Sequence, residues 1–376
     1  MAWSEPQGAV VAERTDAMAA SAAVELPAGR GTVPVADRVD SAAYARLAHP
    51  AVSVVVSTRG RARFLPGLLQ ALQAQQPVEG GFEVVVVDDA SEDDTWPQLQ
   101  QLAAGTSLAL RAVRLAGHVG QGPGRTLGVL AARGEVVAFT DDDCLPSAAW
   151  LDRLTAPLRA DGPPALVCQG RTEAWPGDAG AAGAWARTIW VLRPTWLFET
   201  CNVAYRRQDV LAAGGFPAAR EAFVGPHGRV AGEDALLGWT VLAAGRRLHF
   251  EPSALVHHRH LPAGYRDWVL EQWGRSVFCA LAGRGPFGRR PLWGRWFLAP
   301  RSAAWDLAVL AVGAAVLTRR TPWLAGVAPW MALALPDARS RGGRPVPVRL
   351  AQLAVGDAVG MAALAVGSWR HRQVVL

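Results

Sequence analysis

Two stretches decide the fold: Phe82-Glu83-Val84-Val85-Val86-Val87-Asp88-Asp89 and Val136-Val137-Ala138-Phe139-Thr140-Asp141-Asp142-Asp143. Each is a short apolar run that stops abruptly in carboxylates. Runs that are apolar throughout, rather than alternating, predict strands covered on both faces. Upstream, residues 51–57 contain Val52-Ser53-Val54-Val55-Val56 and predict a third such strand, ending in Ser57-Thr58-Arg59. Between these strands, Phe64, Leu65, Leu68, Leu69 and Leu72 recur at helical spacing. A further helix is expected over 96–103, a strand over 109–113, and a glycine-rich turn with its helix over 120–132. Strands alternating with helices make this an α/β chain with a mostly parallel sheet flanked by helices. Ligands of such sheets bind outside the carboxyl ends of the strands. Three polar strand ends therefore converge on one crevice.

From about residue 151 the pattern loosens among tryptophans and prolines. Strand, helix and strand are expected over 201–205, 236–243 and 254–258. Residues 1–50, rich in Ala, Gly and Pro, show no sustained period and read as a flexible tail, with a short helix over 44–47 leading in.

The 376 residues suffice for one large core or two halves, and 51% hydrophobic against 19% charged residues excludes a disordered chain. The net charge of +6 comes from scattered arginines without a zinc-finger or RNA-binding signature, so no nucleic-acid partner is expected. Cys144, Cys168, Cys201 and Cys279 lie far apart with no C-x-x-C pair, which argues against zinc or a disulfide scaffold and suits a reducing compartment. Glu5, Glu13 and Asp16, with no continuous apolar core, make a secretory signal unexpected.

The aspartate triplet carries most of the chemistry. Residues i and i+2 of an extended segment project to the same side, so Asp141 and Asp143 suit one hard divalent ion with positions left for a diphosphate. A solvated acidic turn capping the next helix would look the same. Asp88 and Asp89 suit hydrogen bonds from a ribose or a pyrimidine, or alternatively a helix start through Ser91-Glu92-Asp93-Asp94. The segment Gly120-Gln121-Gly122-Pro123-Gly124-Arg125 fits neither the P-loop nor the G-x-G-x-x-G spacing. Arg125 suits either a diphosphate or the aspartates. Glu233-Asp234 opens a helix, either as dipole-stabilising carboxylates or as a site acid pair. His257-His258-Arg259-His260 ends an apolar strand; alternation separates His257 from His258 and His260, without deciding which acts at a site.

In order, Val54 to Arg61, Val85 to Asp93, Gly120 to Gly128, Phe139 to Asp143, Cys201-Asn202-Val203-Ala204-Tyr205-Arg206 and Gly232-Glu233-Asp234 resemble the motifs of the family 2 inverting glycosyltransferases. The resemblance covers about residues 51–260 and implies the GT-A fold. It implies Asp234 as general base, because an acceptor hydroxyl is a poor nucleophile until its proton is removed. It implies Asp141, Asp143 and His258 as metal ligands for Mn²⁺ or Mg²⁺, which would offset charge on the leaving diphosphate. Nucleotide-sugar contacts are implied for Ser57, Thr58, Arg59, Arg61, Asp88, Asp89, Arg125 and Asp142, and orientation of donor or acceptor for Asn202 and Glu233. The donor implied is a nucleotide diphosphate sugar, UDP foremost, with GDP and dTDP open; the acceptor is a glycan or lipid-linked hydroxyl. Gly124 and Thr126 depart from the family's Ala-Arg-Asn at this place, while Arg125 fits. Gln272-Trp273-Gly274-Arg275-Ser276 matches the Q-x-x-R-W of processive synthases only in part, and Ser276 in place of tryptophan implies addition of one or a few sugars.

On this reading residues 51–150 hold the nucleotide-sugar half, 151–265 the acceptor half with the base, 266–300 a connecting helical segment and 301–376 an apolar helical region. Apolar stretches over 303–318, 322–335 and 350–369 approach the ~20 residues a span requires, though Asp306 and Asp357 interrupt them. Arginines bracket every stretch and so give no clear orientation, while tryptophans suit an interface; membrane association through a helical hairpin or in-plane helices is expected, with the catalytic part on the cytoplasmic side of the cell membrane. Two alternatives share the aspartates. A sugar-phosphate nucleotidyltransferase would carry a G-x-G-x-R-x-x-P-x-T-like loop, which is lacking; a non-catalytic nucleotide-sugar-binding protein of the same fold would not need Asp141, Asp143 and Asp234 intact.

Overall fold

The computed structural model describes residues 23–159, 166–178, 183–217, 223–224, 230–284 and 292–376. They fall into two compact units, the first made of Met1–Trp175, Ile189–Glu221 and Glu233–Arg259, the second of Pro176–Thr188, Ala222–Gly232 and His260–Leu376.

The strands are β1 (Ala23–Glu25), β2 (Thr32–Asp40), β3 (Val52–Thr58), β4 (Phe82–Asp88), β5 (Leu110–Leu115) and β6 (Val136–Phe139). They continue as β7 (Cys144–Pro146), β8 (Leu166–Ala174), β9 (Val203–Arg206), β10 (Phe223–Val224), β11 (Val230–Ala231) and β12 (Arg247–His258). The helices of the first unit are α1 (Ala42–Arg46), α2 (Leu65–Gln73), α3 (Thr95–Gly105), α4 (Gln121–Ala131), α5 (Trp150–Arg159), α6 (Arg207–Ala212) and α7 (Glu233–Ala243). Those of the second are α8 (Tyr265–Glu271), α9 (Val277–Arg284), α10 (Pro300–Thr318), α11 (Ala328–Ser340) and α12 (Val346–His371).

A ten-stranded sheet runs β1-β2-β5-β4-β3-β6-β9-β8-β12-β7. Its heart, β5-β4-β3-β6, is parallel, as the apolar runs predict. Val54, Val56, Val84 and Val86 are buried on one face with Leu65, Leu68 and Leu72 of α2, while Val85 and Val87 pack on the other with Leu127 of α4. The flanks are antiparallel, except that β8 and β12 run parallel. Helix α4 lies very close to the sheet: a Cβ on Gly128 would stand 2.4 Å from Val55 Cγ1, so only glycine fits.

The expected tail differs from the structure. Residues 1–22 lie outside the described residues, but β2 pairs antiparallel with β5, matching Val39 to Ala112 and Asp40 to Arg111. Ser41 then caps α1, accepting from the Tyr44 amide at 3.1 Å. Val33 and Val35 are buried, separated by Pro34, and the glycines and proline around this short alternating run hide it from a period count.

In the second unit, Ala304, Ala308, Trp330, Ala334, Ala338 and Leu353 form a cluster between α10, α11 and α12. Small residues at helical spacing let the backbones approach. Asp357, buried in α12, accepts from Arg301 Nε and from Trp330 Nε1, each at 2.9 Å, and lies 3.6 Å from Arg275 Nη2. The expected connecting segment 266–300 is helical in α8, the short turn Gln272–Ser276 and α9.

Candidate active site

The acidic triplet leaves the end of β6, where the chain turns into β7. Its three carboxylates have different surroundings. Asp141, partly exposed, accepts from Arg125 Nη2 at 3.1 Å. Asp142 is buried and accepts from Thr58 Oγ1 at 2.7 Å and from Arg61 Nη1 at 3.4 Å. Burial pushes its carboxyl up to about 7, with Arg61 pulling the other way. Asp143, also buried, accepts from Arg61 Nη1 at 2.6 Å through Oδ2, and its Oδ1 lies 3.4 Å from His258 Nε2. Thr58 ends β3, so two of the three expected strand ends meet directly.

His258 is the histidine brought to the triplet. It pairs with Cys144 across β12 and β7. His257 instead packs edge-on against Trp175, and the His260 amide donates to Asp178. The His258 Nδ1 stands 2.8 Å from the Arg259 carbonyl, which can only accept, so Nδ1 carries the proton. In the neutral imidazole, Nε2 then presents a lone pair towards the Asp143 carboxylate. In that form two acceptors face one another, a geometry that suits a cation between them. Among the described residues, Asp143, Cys144 and His258 form the one set of three donor atoms at metal spacing. Burial holds the Cys144 thiol pKa well above its ordinary value. Asp143 and His258 fit a divalent ion; Asp141, expected to share it, is turned to Arg125.

Arg125 projects from α4 and is buried. Besides Asp141, its Nη1 reaches Glu233 at 3.2 Å and Asp234 at 3.5 Å. Burial disfavours its charge, yet Asp234, Asp141 and Glu233 together hold the guanidinium above its ordinary pKa. Of the two pairings open in the sequence, the one with the acids is formed here. This clasp ties the triplet to the start of α7. Glu233 is buried, and burial together with Asp234 pushes its carboxyl up against the pull of Arg125.

Asp234 is held by one oxygen. Its Oδ2 accepts from the Thr200 amide at 3.2 Å and from Thr200 Oγ1 at 3.1 Å. Its Oδ1 accepts no hydrogen bond. Thr200 was not singled out in the sequence; the signal was its place directly before the Cys-Asn motif. Asn202, expected to orient donor or acceptor, is wholly engaged in structure. Its Oδ1 accepts from Trp150 Nε1 at 2.8 Å, and its Nδ2 donates to the carbonyls of Arg171 and Ala254 at 2.8 and 2.9 Å.

The third strand end, after β4, shapes a neighbouring cleft. Asp88 is buried; its Oδ1 accepts from the Ser91 amide and hydroxyl, while Oδ2 accepts no hydrogen bond and lies 3.7 Å from Arg114 Nε. Burial raises its pKa, the Ser91 bonds opposing. Asp89 departs from the expected nucleoside contact. It accepts from the Val119 and Gly120 amides at 2.8 and 2.9 Å and lies 2.7 Å from His118 Nδ1, so it fastens the turn before α4. Gly120 takes φ 93° there, a left-handed conformation open to glycine. Beside it opens a cleft of about 590 Å³ lined by Ala36, Arg59, Ser91, Glu92, Arg114 and His118. Arg59 and Ser91 lie where the strand-end reading placed polar groups. Ala36 and Arg114 come from β2 and β5 and carried no sequence signal. Ser57, partly buried, faces α4: a Cβ on Gly124 would stand 2.8 Å from its Oγ.

A parallel-centred sheet whose strand ends gather an acidic triplet, an imidazole and a helix-borne acid pair defines an α/β transferase of the GT-A type. The sequence profile of the family described as Glycosyl transferase family 2 matches residues 53–202. The pre-mycofactocin glycosyltransferase of Mycobacterium tuberculosis is 28% identical over 257 residues, covering 65% of this chain and 50% of that protein. This chain thus spans about half the length of that relative. The undecaprenyl-phosphate 4-deoxy-4-formamido-L-arabinose transferase of Pseudomonas savastanoi is 33% identical over 106 residues, covering 28% of this chain and 32% of that protein. Among solved structures, the mannosyltransferase PcManGT from Pyrobaculum calidifontis, in complex with GDP-Man and Mn²⁺, superposes with TM-score 0.51 at 22% identity, over 86% of this chain and 88% of that one. Residues 53–202 are a glycosyltransferase family 2 domain, set in a GT-A fold.

Proposed function

We propose that this chain is an inverting, metal-assisted glycosyltransferase that moves a sugar from a nucleotide diphosphate donor onto an acceptor hydroxyl. One observation carries the reading: Arg125 reaches both Asp141 of the triplet and Asp234 of α7, which supports leaving-group and base chemistry within one site. The acceptor hydroxyl gives its proton to Asp234 Oδ1, the oxygen that accepts no hydrogen bond, as its oxygen bonds to the anomeric carbon. The bond from that carbon to the diphosphate breaks on the opposite face, and the nucleoside diphosphate departs with the electron pair. Thr200 keeps the carboxylate aimed by holding Oδ2. Asp143 and His258 would hold Mn²⁺ or Mg²⁺, with Asp141 beside them. The ion supplies charge compensation for the departing diphosphate.

The cleft lined by Arg59 and Arg114 suits the nucleoside part of the donor, with UDP the first candidate and GDP, the donor nucleotide of the Pyrobaculum structure, the second. The undecaprenyl-phosphate in the Pseudomonas relative's name supports a lipid-linked acceptor, whereas the Mycobacterium relative is named for pre-mycofactocin; we propose a glycan or lipid-linked acceptor of the cell envelope, used on the cytoplasmic side of the cell membrane. The test is a panel of nucleotide sugars incubated with the chain and Mn²⁺ or Mg²⁺. Release of nucleoside diphosphate and sugar that stops with chelator and returns with metal is expected. Pyrophosphate production from a nucleoside triphosphate and a sugar phosphate instead would mean a nucleotidyltransferase, and binding without turnover would mean a non-catalytic relative.

A further inference from the structure

The second unit carries an apolar surface that its own helices leave uncovered. In α10 the buried side chains Ala304 and Ala308 pack in the cluster with α11 and α12, and Ala311 continues the stripe against Gly326. Beyond Ala311 the stripe ends: from Val312 through Ala325 no residue is buried. The stretch is nevertheless apolar. Leu310 is 70% exposed, Val316 71% and Leu317 86%, with Trp323, Leu324 and Leu333 also outward. Contiguous exposed patches of this kind mark interaction surfaces.

Charge identifies the occupant. Between Leu307 and Pro336 there is no Asp or Glu, and the two charged residues are Arg319 and Arg320, both exposed at the turn that ends α10. Residues 260–376 hold 15 arginines against five acidic residues, whereas the remainder of the chain is acidic on balance. A protein partner matched to this face would need an apolar groove rimmed by acids; a bilayer with anionic headgroups supplies both properties as a continuous surface. Trp323, at the same turn, is the residue type that favours the boundary between hydrocarbon and headgroups.

We infer that the hairpin formed by the C-terminal half of α10, the turn around Arg319 and Arg320, and the returning turn Thr321–Val327 inserts into an anionic lipid bilayer. The leucines, Val316 and Trp323 enter the hydrocarbon, and the two arginines pair with lipid phosphates. The buried Asp357–Arg301–Trp330 network braces the bases of the helices, so the exposed hairpin enters as a preformed element. The inference stands on the second unit and is independent of the sugar-transfer reading.

Flotation of the full chain with vesicles tests it. Vesicles of phosphatidylcholine with about a third phosphatidylglycerol should carry the protein upward, and pure phosphatidylcholine vesicles should bind about tenfold less. Leu310→Glu with Leu317→Glu should cut binding to the anionic vesicles about tenfold or more, and Arg319→Glu with Arg320→Glu by a similar factor that shrinks in high salt. All four side chains are exposed, so circular dichroism and thermal unfolding should match the parent. Equal binding to neutral and anionic vesicles overturns the inference, as does undiminished flotation of the leucine pair. A soluble dimer that the leucine substitutions split, with no vesicle binding by the parent, assigns the face to a second copy and overturns it too.

Discussion

Each compact unit sets an aspartate beside arginines, Asp357 buried and Asp234 part-exposed, and the two are built to opposite ends. Asp357 in the second unit has Oδ2 bonded by Arg301 and Trp330 and Oδ1 facing Arg275. Asp234 in the first has Oδ2 held by Thr200, while Oδ1 accepts no hydrogen bond and stands 3.5 Å from Arg125. A saturated buried carboxylate specifies packing. A half-satisfied one leaves an acceptor oxygen without a hydrogen bond, which is the feature the proposed base role of Asp234 draws on.

The comparison is broken most severely by Asp234→Asn. Transfer should fall about a thousandfold, the scale of a lost general base, while nucleotide-sugar affinity and melting temperature stay near the parent's. Transfer at the parent rate would remove Asp234 from the role of base. Asp357→Ala should do the reverse: unfolding followed by tryptophan fluorescence should show a loss of about 3 kcal/mol, because Arg275 loses its carboxylate and Arg301 keeps only Asp337. Donor hydrolysis per folded molecule should be unchanged.

A smaller effect separates the triplet's members. In the folded chain burial pushes Asp142 up to about 7, against about 3.9 for an unfolded aspartate. The folded state therefore binds this proton more tightly. Its stabilising contribution is complete below about pH 4 and is lost as pH rises through about 7. Without metal, the stability of the parent relative to Asp142→Asn should drop across that window, by about 1.4 kcal/mol for each unit of the shift. A difference independent of pH would show that Asp142 is ionised throughout, held by Arg61. The smallest expected effect concerns the N-terminal segment. Ser41→Ala removes a cap that bonds the Tyr44 and Leu110 amides, and should cost about 1 kcal/mol in denaturant unfolding. No change would mean that β2 and α1 are held without it.

The parallel heart of the sheet was legible because Val84 to Val87 and Val136 to Phe139 are apolar without interruption, which only a doubly covered strand tolerates. The acids at the strand ends were legible for the same reason, since each marks where cover stops. What escaped was of two kinds. Strand β2 was hidden by Pro34 and by flanking glycines, so its nine residues read as tail. Asn202 and Asp89 were recognised as unusual polar residues and assigned to ligands, whereas their partners are the Trp150 indole and backbone groups of Arg171, Ala254, Val119 and Gly120. A buried polar side chain looks alike in sequence whether a substrate or a distant backbone satisfies it.

By itself the sequence determined the α/β class, the three polar strand ends and the acid pair opening α7, since periodicity and local chemistry are properties of neighbours in the chain. Tertiary structure alone decided which acids Arg125 joins, bridging 108 positions to Glu233, and which of three histidines reaches Asp143. Those outcomes depend on how the strands order and register, and the energy that selects them is shared among contacts far apart along the chain.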